Sequence, residues 1–159
     1  MQKPMYLLSG YVKQRRQETN YIIIHSSLTK VNKRKVNVKS LDKIHKQNGW
    51  LGIGYHFVIL RNGTIQTGRD LDHYGAHTRY HNDDSVGVCL IGGLGLDGQP
   101  EHNYSMQQMD SLESIVKMLL TKYPNAKCVG HNDLHEDTNC PCFNVDDWFK
   151  QINLNEKTI

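Results

Sequence analysis

Two apolar runs without alternation set the tightest limit on what this chain can become. Tyr21-Ile22-Ile23-Ile24 leads into His25, and Val86 to Ile91 stops at Gly92-Gly93. A strand with one wet face alternates apolar and polar residues. Each of these runs therefore predicts a strand buried on both sides, at the centre of a sheet.

The remaining segments predict what flanks that sheet. Tyr55 to Leu60, Asn62-Gly63 and Thr64 to Thr67 predict a hairpin, because Asn-Gly suits the positive φ angles of a type I′ turn. Ser40 is expected to cap a short helix that stops at Gly49, with Leu41 and Ile44 turned to the core. Ser105 opens the longest helix: Gln108 completes a capping box, and Met109, Leu112, Val116, Leu119, Leu120 and Tyr123 recur at helical spacing until Pro124. Lys127 to Val129 predicts a short strand running into His131. A last helix is expected from about Asn144, with Asp146 and Asp147 in its first turn and Trp148, Phe149 and Ile152 inward. The expected fold class is α/β, a single domain with a central mixed sheet flanked by helices.

At 159 residues the chain has room for one core that stands without disulfide staples. Hydrophobic residues make up 38%, too many for a disordered chain. The stretch before residue 20, ending in Lys13, Arg15 and Arg16, is expected to be a loosely attached arm, and Lys30 to Lys39, with five basic residues, an exposed loop. The apolar runs fall far short of the ~20 residues a membrane span needs. Met5 to Leu8, broken by Ser9 and Gly10, is too short for a signal-peptide core, so synthesis in the cytoplasm without membrane association is expected. A net charge of +3 permits an anionic polymer as partner without choosing between nucleic acid and cell wall.

Nine His and four Cys are the unusual counts. Paired thiols near His, as in Cys140-Pro141-Cys142, point to metal ligands in a chain with no secretion signal. His25 and His131 each end a strand, and Cys140 lies in a loop before a helix. Two His and one Cys leave a fourth tetrahedral position open, the pattern of a catalytic zinc site. By spacing alone His135 could replace one His and Cys142 could replace Cys140. His45 reads as half-exposed, His73, His81 and His102 as solvated loop residues, Cys89 and Cys128 as small buried hydrophobes, and Tyr55 as an ordinary strand aromatic.

A series of ordered motifs adds to this reading. Tyr21 to Ser26, Asn48-Gly49-Trp50-Leu51-Gly52-Ile53-Gly54-Tyr55-His56-Phe57, Arg61-Asn62-Gly63-Thr64, Gly68-Arg69, Gly75-Ala76-His77, Ser85 to Gly93 and Cys140-Pro141 follow one another. In this order they resemble the type 2 N-acetylmuramoyl-L-alanine amidases, the family of the small phage amidases and the peptidoglycan recognition proteins. The likeness runs from about Val12 to Ile152 and is nearest the phage branch, through Lys13-Gln14-Arg15 and the block around Trp50 and Tyr55. It implies an amidase domain over residues 12–152, an N-terminal extension over 1–11 and a tail over 153–159, with the zinc site at one end of the sheet.

The resemblance also implies roles. Its zinc ligands fall on His25, His131 and Cys140, and its catalytic tyrosine on Tyr55. The catalytic lysine of the phage enzymes falls on Thr138, a departure that the peptidoglycan recognition amidases share. The His131 to Cys140 spacing is one residue longer than in the phage enzyme, and Asp84 stands where that enzyme has Asn. Two imidazoles and a thiolate leave zinc with a net charge of about +1, so neighbouring groups matter more. Tyr55 is suited to donate to a developing oxyanion, and Thr138 can add a neutral contact. His56 and His77 are candidates for lining the substrate groove or orienting a ligand. The implied function is a Zn2+-dependent amidase cutting between N-acetylmuramic acid and L-alanine in peptidoglycan. It is expected to act as a monomeric phage or prophage endolysin, held in the cytoplasm until lysis. The alternatives are a non-catalytic peptidoglycan-binding protein and an amidase that also binds a polymerase; the chain carries no recognised nucleic-acid motif.

Overall fold

Ile22, Ile23 and Ile24 have no solvent-exposed surface, and neither have Val86, Val88, Cys89 and Leu90. These residues form the two central strands of a computed structural model that describes residues 14–157. The N-terminal extension over residues 1–11, together with Lys13, lies outside the described residues. Along the chain come β1 (Tyr21–Ser26), β2 (Thr29–Lys30), α1 (Val38–Gln47), β3 (Phe57–Ile59), β4 (Ile65–Thr67), β5 (Ser85–Leu90), β6 (Gly93–Leu94), α2 (Met106–Lys122), β7 (Lys127–Gly130), α3 (His131–Leu134) and α4 (Val145–Lys157).

Five strands make one mixed sheet in the order β4-β3-β5-β1-β7. β3, β5, β1 and β7 run parallel, and β4 is the antiparallel edge. Side chains alternate across a strand, so Ile22 and Ile24 share one face with Val86, Val88 and Leu90. That face packs against Leu112, Ile115, Val116 and Leu119 of α2 and Val145 of α4. The opposite face is thinner: Leu41 of α1, Ile53, Val58, Cys89 and Ile91. The result is the single mixed α/β domain expected from the two apolar runs.

Gln108 does more than cap. Its Oε1 accepts the Ser105 N–H at 3.0 Å, as a capping box requires, while its Nε2 donates to the Ile59 and Ile91 carbonyls at 3.2 and 2.8 Å. One buried amide thus ties the start of α2 to the ends of β3 and β5.

Several local expectations are corrected. The cap of α1 is Asn37, whose side chain accepts from Ser40 N–H at 3.0 Å; Ser40 is the other half of the capping box. Ile44 is 46% exposed and only Leu41 of that pair is buried, because α1 rests on the sheet by one narrow stripe. In the hairpin, Gly63 has φ 89° but Asn62 is not left-handed. Gly63 N–H donates to Leu60 O at 2.8 Å and Leu60 N–H to Thr64 O at 2.9 Å. This is the three-residue loop closed by a single left-handed residue instead of the two-residue type I′ form. Tyr55 and His56 precede β3. Residues 14–19 do not hang loose: Arg16 N–H donates to Asp72 O, and its guanidinium donates to Leu71 O, His73 O and the Tyr123 hydroxyl. His73 and His81 are half-buried, beside Asp70 and Asp84, where solvated residues were expected.

Candidate metal centre and active site

β1 and β7 lie side by side with Ile24 opposite Gly130, so the next residue of each strand, His25 and His131, emerges at the same sheet end. Their rings stand 4.7 Å apart between centroids. This is the carboxyl end of parallel strands, where open α/β sheets present ligand sites. Alternation turns His25 to the thinner face, away from α2.

Cys140 arrives from the other side, held at several atoms. Its Sγ accepts the Ser26 N–H at 3.0 Å, its carbonyl accepts the Asn132 N–H at 2.8 Å, and its N–H donates to Thr138 Oγ1 at 3.1 Å. The Tyr104 hydroxyl donates to Pro141 O at 2.7 Å, fixing the residue after it. The ligand atoms of His25, His131 and Cys140 all lie within 4.8 Å of one another. Cys140 Sγ to His25 Nδ1 is 3.6 Å. A tetrahedral zinc with ordinary bond lengths has an S to N edge of about 3.6 Å. The donor set, and the one S to N edge measured in it, suit such an ion.

The electrostatics suit neutral imidazole ligands. Burial, with His131 nearby, holds His25 well below the ordinary histidine range, and burial beside His135 brings His131 down to about 4. Burial pushes the Cys140 thiol up to about 12, against the pull of the Ser26 N–H, so a cation is what would make it a thiolate.

A second layer of residues fixes the first. His25 Nε2 is 2.8 Å from His77 Nδ1 and 3.1 Å from Thr78 Oγ1. His77 Nε2 in turn lies 3.3 Å from Ser85 Oγ. The His77 ring occupies a space that exists because residue 87 is glycine: a Cβ there would sit 2.6 Å from His77 Cδ2. His56 is buried beneath. Its Nδ1 accepts from Gly87 N–H at 3.0 Å, its Nε2–H donates to His73 O at 2.8 Å, and burial brings it down to about 3.

Tyr55 stands beside the centre, its ring 5.1 Å from that of His25. Burial keeps its hydroxyl protonated, with its pKa well above the ordinary tyrosine value. Thr138 is half-buried, its oxygen accepting from Cys140 N–H. His135 is drawn away, its Nε2–H donating to Arg79 O at 2.9 Å. Cys142, with φ 72°, is not part of the ligand group. Of the spacings left open in the sequence, the structure groups only His25, His131 and Cys140 among the described residues. Sequence reasoning missed Thr78, Ser85 and Gly87. The signal available was a glycine inside an otherwise apolar strand.

Two His and one Cys gathered at the carboxyl ends of parallel strands form a group that could hold one metal ion, the donor set a hydrolase of this kind uses. The N-acetylmuramoyl-L-alanine amidase family matches residues 15–143, and the chain belongs to it, with the activity of an amidase. The endolysin of Enterobacteria phage K11 is 43% identical over 136 residues, covering 86% of this chain and 89% of that protein. The endolysin of Escherichia phage T7 is 38% identical over 139 residues, 87% and 91% of the two chains. Among solved structures, the N-acetylmuramoyl-L-alanine amidase LysC from Clostridium intestinale URNW superposes with a TM-score of 0.76 at 29% identity, covering 92% of this chain and 91% of that one. A mutant of Drosophila PGRP-LB in complex with tracheal cytotoxin gives 0.67 at 30% identity, covering 82% and 79%.

Proposed function

We propose that the chain is a zinc-dependent amidase that hydrolyses the bond between N-acetylmuramic acid and L-alanine, serving as the endolysin of a phage or prophage. The observation that carries this reading is the 3.6 Å Cys140 to His25 edge within a three-ligand cluster. Zn2+ held there by His25 Nδ1, His131 and Cys140 would supply Lewis acidity to the scissile carbonyl and to the attacking water.

The chain's own residues do the rest. With His25 neutral and protonated on Nε2, that N–H donates to His77 Nδ1 and leaves the His25 Nδ1 lone pair for the metal, and His56 packs against His77 with ring centroids 5.8 Å apart. Tyr55, kept protonated, donates to the oxyanion that develops as water adds. Thr138 offers a neutral hydroxyl in place of a cation and holds the Cys140 N–H. No helix among the described residues is long and apolar enough to cross a membrane. A monomer released from the cytoplasm at lysis, acting on peptidoglycan through the domain spanning residues 12–152, is the matching cellular role.

Purified sacculi test it. The expected products are new L-alanine amino termini without new reducing sugar ends. Reducing ends without amines would sink the reading in favour of a glycosidase, and wall binding with background amine release would favour a non-catalytic binder.

A further inference from the structure

Thr78 to His81 form a tight turn on the rim of the metal centre. His81 N–H donates to Thr78 O at 3.0 Å, and the third residue, Tyr80, has φ 71°. A left-handed third residue is the type II pattern, a position that favours glycine. Tyrosine there costs roughly 1–2 kcal/mol of backbone strain. The ring recovers little by burial, since Tyr80 is 58% exposed.

The surroundings hold the strained turn in place. Asn82 Oδ1 accepts from both His77 N–H and Thr78 N–H, at 2.8 and 2.9 Å, and His135 Nε2–H donates to Arg79 O at 2.9 Å. Thr78 Oγ1 touches the ligand His25. The His135 ring lies 5.4 Å from ligand His131 on one side and 6.4 Å from Tyr80 on the other. Arg79 lies 5.1 Å from the Tyr80 ring centroid. A large aromatic side chain is therefore presented half-exposed beside the metal centre, on a backbone conformation that favours glycine. Strain of this kind collects at ligand clamps.

We propose that Tyr80 is a substrate-contacting residue that packs against the sugar backbone of peptidoglycan beside the metal centre. This rests on the proposed wall substrate. A pyranose ring has apolar C–H faces and wet hydroxyl edges, and a half-exposed tyrosine ring matches it: apolar face, polar tip.

The test compares wild type, Tyr80→Gly and Tyr80→Phe for binding to intact sacculi and to glycan strands stripped of peptide, alongside amine release, metal content and melting temperature. Tyr80→Gly is expected to weaken binding to both polymers by about 5- to 30-fold, the usual cost of losing an aromatic anchor. Its metal content should equal that of wild type, and its melting temperature should equal or exceed it, since glycine relieves the turn. Tyr80→Phe should bind as wild type does. Undiminished glycan binding by Tyr80→Gly, a defect confined to peptide-bearing sacculi, loss of metal, or a wild-type protein that binds no stripped glycan would each overturn the proposal. Wild-type glycan binding with no amine release would instead overturn the amidase reading and leave the Tyr80 contact standing.

Discussion

His77 Nδ1 lies 2.8 Å from His25 Nε2, so one proton is shared between these two ring nitrogens. His25 can offer Nδ1 to a metal only with its proton on Nε2, so His77 must accept there, and the proton of His77 then sits on Nε2 toward Ser85 Oγ. The chain of three residues runs across the sheet face from β1 through the loop before β5 to the first residue of β5.

His77→Ala removes that acceptor without touching a ligand. Its affinity for Zn2+ should fall about 10- to 100-fold, and amine release should recover at excess metal. Metal titration with a competing chelator reads the change directly. Unchanged affinity would mean that His77 does not orient His25.

Cys140→Ala should lose both bound metal and amine release, as should chelation of the wild-type protein, while Cys142→Ala and His135→Ala keep their metal stoichiometry. Neither residue belongs to the three-ligand group despite their proximity in sequence. Full metal content in Cys140→Ala would transfer its role to Cys142 or His135.

Gly87→Ala places a methyl group 2.6 Å from His77 Cδ2 in a fully buried strand. A destabilisation of about 1–3 kcal/mol is expected from overpacking, together with weakened metal binding. Chemical denaturation of the single variant and of Gly87→Ala/His77→Ala separates the causes: removing the ring should restore much of the lost stability. A double variant as unstable as the single one would place the strain elsewhere.

Acid should destabilise the metal-free fold partly through His56. Its pKa falls from the ordinary 6.5 to about 3 because it is buried, so between those pH values the unfolded chain binds a proton that the folded chain refuses. Stability attributable to this group is thus full above pH 6.5 and declines below it by about 1.4 kcal/mol per pH unit for one proton. His56→Gln, measured by denaturation in chelator from pH 8 to 5, should show a shallower decline than wild type. An identical slope would show that His56 takes no part in it.

Local signals were legible where one residue type dominates the physics. Ser105 and Gln108 marked a helix start because their side chains reach only neighbouring backbone, and the Ile22 to Ile24 run marked a doubly buried strand because nothing polar interrupts it. Ile44 was misplaced because helical spacing gives a face but not its width, which depends on how closely α1 approaches the sheet. The Asn62-Gly63 turn was misassigned because Asn tolerates two backbone conformations and the pairing of β3 with β4 chooses between them.

The amino-acid order by itself determined the central strands, the principal helices and the residue types for a metal pocket, since these follow from burial, capping and donor chemistry within short windows. Only the tertiary structure decided which His and Cys meet. His25, His131 and Cys140 converge through the parallel register of β1 and β7 and the Ser26 N–H to Cys140 Sγ contact, over separations that no local spacing encodes. His77 and Gly87 likewise become partners only when the chain passes over the face of β5, where a missing Cβ on one residue makes room for the ring of the other.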